Sequence, residues 1–198
     1  MREDTGVTPH GVSLVGKNII LAVSGGIAAT ESIKLARELR RHGANVFPMM
    51  SKSAEKVITP LALSWGSGVD VVTDWDPKMS QLRGFDGLIL APATRNTIAK
   101  FTHGLLDSPM MMALSAAVGS GIPTLFVPSM HNDLFDDAVT TELLSSLEEL
   151  GVAVLADKPS EGRRKQPSVT AIVAEFCNMS NSRLEGRKRV AVTLGGNS

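Results

Sequence analysis

GLILAPATRNTIAK (Gly87 to Lys100) decides the fold. Its first five residues are apolar without interruption. A strand covered on both faces reads this way, whereas a strand with one wet face alternates. The run therefore predicts a central strand of a parallel sheet, ended by Pro92. Behind it Thr94 to His103 reads as a helix, with Thr94 and Asn96 offering short polar side chains and Thr97 able to start it. The N-terminal end of such a helix faces the edge of the sheet where a ligand would sit, although an ordinary turn has the same composition.

The same alternation repeats outward in both directions. NIILAVS (Asn18 to Ser24) reads as a strand broken by Gly25 and Gly26, then a helix from about Thr30 to His42 with Ile33, Ala36 and Leu39 on one stripe. ANVFPMM is a second strand, and SKSAEKVITPLAL a helix entered at Ala54 with Ser53 as its cap. Val69 to Thr73 is a short strand, and Asp74 to Phe85 a loop or broken helix. Further on come helices at Pro109 to Ala117, Ala138 to Leu150 and Ser168 to Met179, and strands at Pro123 to Pro128, VAVLA and RVAVTL. Strands alternating with amphipathic helices predict an α/β fold, a central parallel sheet with helices on both faces.

A chain of 198 residues fits one ordinary domain. Lys+Arg and Asp+Glu both count 20 without a run of one sign, which speaks against a nucleic-acid or membrane surface and for a small molecule or another protein as partner. Cys177 is the sole cysteine, expected as an inert packed thiol in a reducing cytosol. The four histidines, His10, His42, His103 and His131, are scattered, and no metal site is expected. The first residues do not form a signal peptide, and no run approaches the ~18 apolar residues of a spanning helix. A cytoplasmic location is the expectation.

In an open parallel sheet ligands bind beyond the carboxyl ends of the strands, where strand order reverses. After the first strand come Ser24, Gly25, Gly26 and Ile27, which fit an anion site and a plain tight turn equally, since G-x-G-x-x-G spacing is missing. The second strand ends on Ser51, Lys52 and Ser53 rather than on the acid that grips an adenosine ribose. That favours a phosphate or a mononucleotide, or else a helix cap alone. After PTLFVP, Ser129, Met130, His131 and Asn132 bring a donor, an apolar contact and an ionisable ring together.

Four segments, SGGIAATESIKLARELRRHGANV, APATRNTIAKFTHGLLDSP, GSGIPTLFVPSMHNDLF and EGRRKQPSVTAIV, together resemble the flavin-containing cysteine decarboxylase superfamily. They are most similar to the archaeal phosphopantothenoylcysteine decarboxylase domain, often fused to a phosphopantothenate–cysteine ligase. The resemblance implies a Rossmann-like three-layer sandwich, FMN as cofactor at contacts between subunits, and a homotrimer or dodecamer. It implies that Ser24, Gly25, Gly26 and Ile27 lie by the flavin, and that Ser51 and Ser53 lie near its phosphate. Ala93, Thr94, Asn96 and Thr97 would stand at the flavin and the substrate carboxylate, and Met130, His131 and Asn132 would match the substrate clamp. On this basis residues 1–16 are an N-terminal extension and 17–180 the FMN-binding domain. LEGRKRVAVTLGG in 181–198 is similar to the opening of the ligase domain.

One departure from the pattern bears on the reaction. Decarboxylases of the superfamily carry a histidine shortly before the central strand, and here Lys78 or Met79 stands in its place. A lysine is protonated near neutral pH unless buried and replaces an imidazole poorly. Three readings stay open: a phosphopantothenoylcysteine decarboxylase of coenzyme A biosynthesis with Asn96 and His131 as its catalytic groups, an FMN-dependent oxidoreductase or electron-transfer flavoprotein, and a non-catalytic subunit of a decarboxylase assembly.

Overall fold

The computed structural model describes residues 6–76, 84–157 and 163–182. Five parallel strands form the central sheet. They are β1 (Asn18–Val23), β2 (Asn45–Met50), β3 (Gly87–Ala93), β4 (Thr124–Pro128) and, after a short β5 (Met130–His131), β6 (Ala153–Val154). Their order is β2-β1-β3-β4-β6, so the chain leaves β1 toward one edge and returns to its other side as β3. The crevice beyond the carboxyl ends of β1 and β3 is therefore the switch point at which such sheets bind ligands. β5 pairs antiparallel with β7 (Arg163–Arg164), separate from the main sheet.

Each strand alternates between the two faces. Ile19, Leu21, Val23, Ile89, Ala91, Leu125 and Val127 pack in one cluster with Leu35 and Leu39 of α1 (Ser32–Arg41) and Ile172 and Phe176 of α7 (Val169–Ser182). Ile20, Ala22, Leu88, Leu90 and Phe126 pack in the other. Their partners there are Ile98 of α3 (Arg95–Thr102), Met110 and Leu114 of α4 (Pro109–Gly119) and Leu147 of α6 (Ala138–Glu149). All seven residues of β3 are buried, which is the physical content of its uninterrupted apolar run. The fold is an α/β, Rossmann-like three-layer sandwich.

Several boundaries differ from the sequence reading. β3 continues through Pro92 to Ala93, and the Ala91–Pro92 peptide is cis. The helix expected from Thr30 begins as a 3-10 turn at Ile27–Glu31 before α1 takes over. Ser53 caps no α-helix. Residues Ala54–Lys56 make a 3-10 turn in which the Ser51 hydroxyl accepts the N–H of Ala54, and α2 (Pro60–Ser67) starts only after Thr59, whose side chain accepts from Ala62. Helix α3 is capped by Thr94, which accepts the N–H of Thr97, so Thr97 lies inside the first turn rather than at the start. Of Val69–Thr73 only Val72 bridges to Met49, and VAVLA contributes two strand residues. A four-residue α5 (Asn132–Phe135) follows β5. The expected RVAVTL strand lies outside the described residues.

Candidate active site at the sheet switch point

The floor of the crevice is a hydrogen-bonded joint between β1 and β3. Ser24 is fully buried. Its hydroxyl donates to the carbonyl of Pro92 at 2.7 Å and accepts the N–H of Thr94 at 2.9 Å, with the Thr94 hydroxyl 3.2 Å away. Thr94 Oγ1 in turn lies 3.0 Å from Thr97 Oγ1. The side chain of Ser24 is thus committed to the backbone, and Ala93 is buried beneath the same floor. Gly25 rests against the turn after β2, where a Cβ would come within 2.5 Å of Ser53 Cβ. Gly26 has φ 130°, backbone that side-chain-bearing residues rarely adopt.

Above this floor a cavity of about 530 Å³ is lined by Gly25, Gly26, Ser51, Ser53, Thr94, Asn96 and Thr97, together with Trp75, Met110 and Met111. It gathers expected site residues from the ends of three strands. Lys52 stands on its rim within 3.3 Å of Glu55 and 3.2 Å of Asp74. The hydrogen bond to Asp74 pushes the Lys52 ammonium up from its ordinary range. Asp74 itself is held low, first by the N–H of Trp75 and then by Lys52. Lys100 pairs with Asp107 on the same cavity wall.

A second cavity, of about 540 Å³, opens on the far side of Gly26, which lines both. Ile27, Pro92, Ser129, Met130 and His131 line it, and so do Glu31, Lys165 and Gln166, which the sequence reading passed over. The side-chain amide of Gln166 is buried on both its oxygen and its nitrogen and makes no hydrogen bond among the described residues. Asn132 Oδ1 is likewise buried and unpartnered, although Asn132 does not line the cavity. The antiparallel β5·β7 pair holds Met130 and His131 next to Arg163 and Arg164 in register, and so brings the following Lys165 and Gln166 to this wall. Nearby, Arg95 at the start of α3 pairs with Asp137, the N-cap of α6, at 2.6 Å.

The sequence matches the Flavoprotein family over residues 7–181. This chain belongs to that family. It is 38% identical over 190 residues to the coenzyme A biosynthesis bifunctional protein CoaBC of Thermococcus kodakarensis, covering 92% of this chain and 47% of that one. It is 30% identical over 152 residues to the "Probable phosphopantothenoylcysteine decarboxylase" of Streptococcus mutans, covering 73% and 84% of the two chains. The chain spans about half the length of the bifunctional relatives. Among solved structures, the FMN binding protein AtHal3 superposes with a TM-score of 0.72 at 21% identity, over 85% of this chain and 99% of that one. A PPC decarboxylase variant complexed with pantothenoylaminoethenethiol gives 0.70 at 23% identity, over 80% and 95%. At these identities the structures speak for the fold.

Membership of the Flavoprotein family implies a flavin, and the first cavity fits one. Its volume of about 530 Å³ falls within the ~300–1,000 Å³ usual for cofactor sites. The bare backbone of Gly26 leaves room for close approach, and that of Gly25 lets the Ser53 turn close against the end of β1. The lining combines the hydroxyl and amide groups of Ser53, Thr94 and Asn96 with the apolar side chains of Trp75, Met110 and Met111, which suits a ring system with one polar edge. Lys78 and Met79, expected in place of a histidine, lie outside the described residues. No helix among the described residues is long and apolar enough to cross a membrane.

The histidines are less scattered than the sequence implied. His10 and His42 meet edge to face with ring centroids 5.5 Å apart, both against Glu38.

Proposed function

We propose that this chain binds FMN in the first cavity and removes the carboxylate, as CO₂, from phosphopantothenoylcysteine held in the second, a step of coenzyme A biosynthesis. The observation that carries the reading is Gly26, whose bare backbone lines both cavities at the switch point and so puts a cofactor and a substrate side by side. A bound flavin supplies a reversible two-electron acceptor for the thiol-bearing carbon. The amide of Asn96, which lines the first cavity, is suited to hold the departing carboxylate where the substrate reaches across Gly26 to the flavin. His131 can take up or return a proton, and the Lys165 ammonium and Gln166 amide are suited to an anionic, amide-rich substrate tail. Exposed Ile27, Leu61, Trp65 and Trp75 support assembly into a trimer or dodecamer with the flavin at subunit contacts.

The test is release of CO₂ from phosphopantothenoylcysteine by the purified protein loaded with FMN, with Asn96→Asp as control. Release by the wild type and its loss in the variant bear the proposal out. A flavin-loaded protein that releases none favours a second reading, an FMN-dependent oxidoreductase, for which the observation is that none of the four histidines lies between His42 and His103. A chain that refuses FMN altogether overturns both and leaves a non-catalytic subunit.

A further inference from the structure

We propose that His10, Glu38 and His42 form a binding site for a single divalent transition-metal ion of the zinc class. His10 Nε2 lies 3.1 Å from Glu38 Oε1, and His42 Nε2 lies 3.7 Å from the same oxygen. One donor atom from each of the three residues falls within 4.8 Å of the others. Zinc held at ~2.0–2.2 Å by nitrogen and oxygen in a tetrahedron separates its ligands by roughly 3.4 Å, so small side-chain rotations suffice to admit the ion. Two imidazoles and one carboxylate leave the fourth position to water, and its way out is open: the His10 side chain is 54% exposed and that of His42 25%.

Three features hold the donors before any ion arrives. Glu38 and His42 are four residues apart at the end of α1, which brings them to one face. His10 is delivered by the N-terminal segment: the N–H groups of His10 and Gly11 donate to the carbonyl of Arg41 at 3.0 and 3.2 Å, and that of Leu14 to the carbonyl of His42 at 3.0 Å. Gly11 lies so close to the ring that a Cβ there would stand 2.5 Å from His42 Nδ1. Nδ1 is closed off and without a partner among the described residues, which leaves Nε2 as the ligating nitrogen. Finally, Arg41 donates to Glu38 Oε2 at 2.8 Å and fixes the carboxylate with Oε1 toward both histidines, the role that outer-shell partners play at metal sites. The positive charge of Arg41 weakens attraction for a dication, so micromolar affinity is expected rather than the far tighter grip of a four-ligand cage.

The site stands apart from the flavin. α1 runs from the carboxyl end of β1 back to the start of β2, so its last turn lies at the opposite edge of the sheet from both cavities. An ion there would fasten residues 10 and 38 across the chain and secure the N-terminal segment to the sandwich.

Metal-stripped, flavin-loaded protein titrated with zinc by calorimetry should bind one equivalent, and His10→Gln should weaken it at least about tenfold, a ligand costing no less than the roughly 10–100-fold of an outer-shell partner. His10→Gln keeps a donor for Glu38 and removes an exposed ring, so its fold should survive. His42→Ala, with folding checked by circular dichroism, should act likewise. Cobalt in place of zinc should add d–d absorption bands to those of the flavin in the wild type, and His10→Gln should need at least about tenfold more cobalt to show them. Zinc should raise Tm in the wild type and not in His10→Gln. Equal zinc affinity in wild type and His10→Gln, or no binding to either, would overturn the proposal and leave only a hydrogen-bonded His–Glu–His cluster.

Discussion

The hydroxyl of Ser24 accepts the N–H of Thr94 at 2.9 Å while donating to the carbonyl of Pro92 at 2.7 Å. One buried side chain thereby joins the tails of β1 and β3 where the sheet reverses order, and sets the positions of Gly25 and Thr94 on either side of the crevice. Ser24→Ala leaves the Thr94 N–H without its acceptor and takes from the Pro92 carbonyl the shorter of its two hydrogen bonds, the other coming from the Ser24 N–H at 3.3 Å. The expected loss is about 1–3 kcal/mol of stability, read by urea unfolding, with weaker FMN binding because the floor of the cavity loosens. A loss below about 0.5 kcal/mol, within the range of an ordinary surface change, would contradict the joint.

Gly25→Ala tests the neighbouring contact. A Cβ placed 2.5 Å from Ser53 Cβ must push the turn after β2 outward. Ser51 and Ser53 then move together, since the 3-10 turn that follows is anchored on Ser51. FMN affinity, followed by quenching of flavin fluorescence, should fall by an order of magnitude or more while the circular dichroism spectrum stays native. Unchanged affinity would mean that this wall takes no part in binding.

What the sequence could disclose depended on how local each signal was. β1, β3 and β4 were legible because burial on both faces leaves an apolar run within one short window. Thr59-Pro60, an N-cap followed by proline at the first helical position, was the readable start of α2, and the competing Ser53 signal obscured it. β5 and β7 have two residues each and become strands only through each other, which no periodicity reveals. Lys165 and Gln166 reach the second cavity by that pairing. His10 and Glu38 meet across 28 residues, so only the docking of the N-terminal segment makes them neighbours.

Asp137 links acidity to stability where α3 meets α6. The N–H of Thr140 is the main influence holding its carboxyl below the ordinary value of 3.8, with Arg95 adding to it. A carboxyl depressed by folding stabilises the protein fully above its unfolded pKa, and the contribution disappears as pH falls through the folded value. Asp137→Asn should therefore lower Tm near neutral pH, and the gap from wild type should close below about pH 3.8. A gap that persists in strong acid would assign the effect to packing instead of charge.

Gln166 separates stability from function most sharply. Its amide is buried without a partner among the described residues, and such a group destabilises by about 1–3 kcal/mol relative to one that is satisfied. Methionine has a similar length and an unbranched stem but no strong hydrogen-bonding group, so Gln166→Met should hold its stability or gain up to that amount. If the amide stays unpaired because a substrate supplies the missing partners, the same change should raise KM for phosphopantothenoylcysteine about tenfold, since one hydrogen bond in a closed site is worth roughly 1.4 kcal/mol. FMN affinity should not move, because Gln166 lines the second cavity and not the first. A variant that is more stable and binds substrate less well marks the amide as a ligand group kept at a cost to the fold. A variant that is less stable with KM unchanged would show that Gln166 serves the fold and leave substrate recognition to its neighbours on that wall.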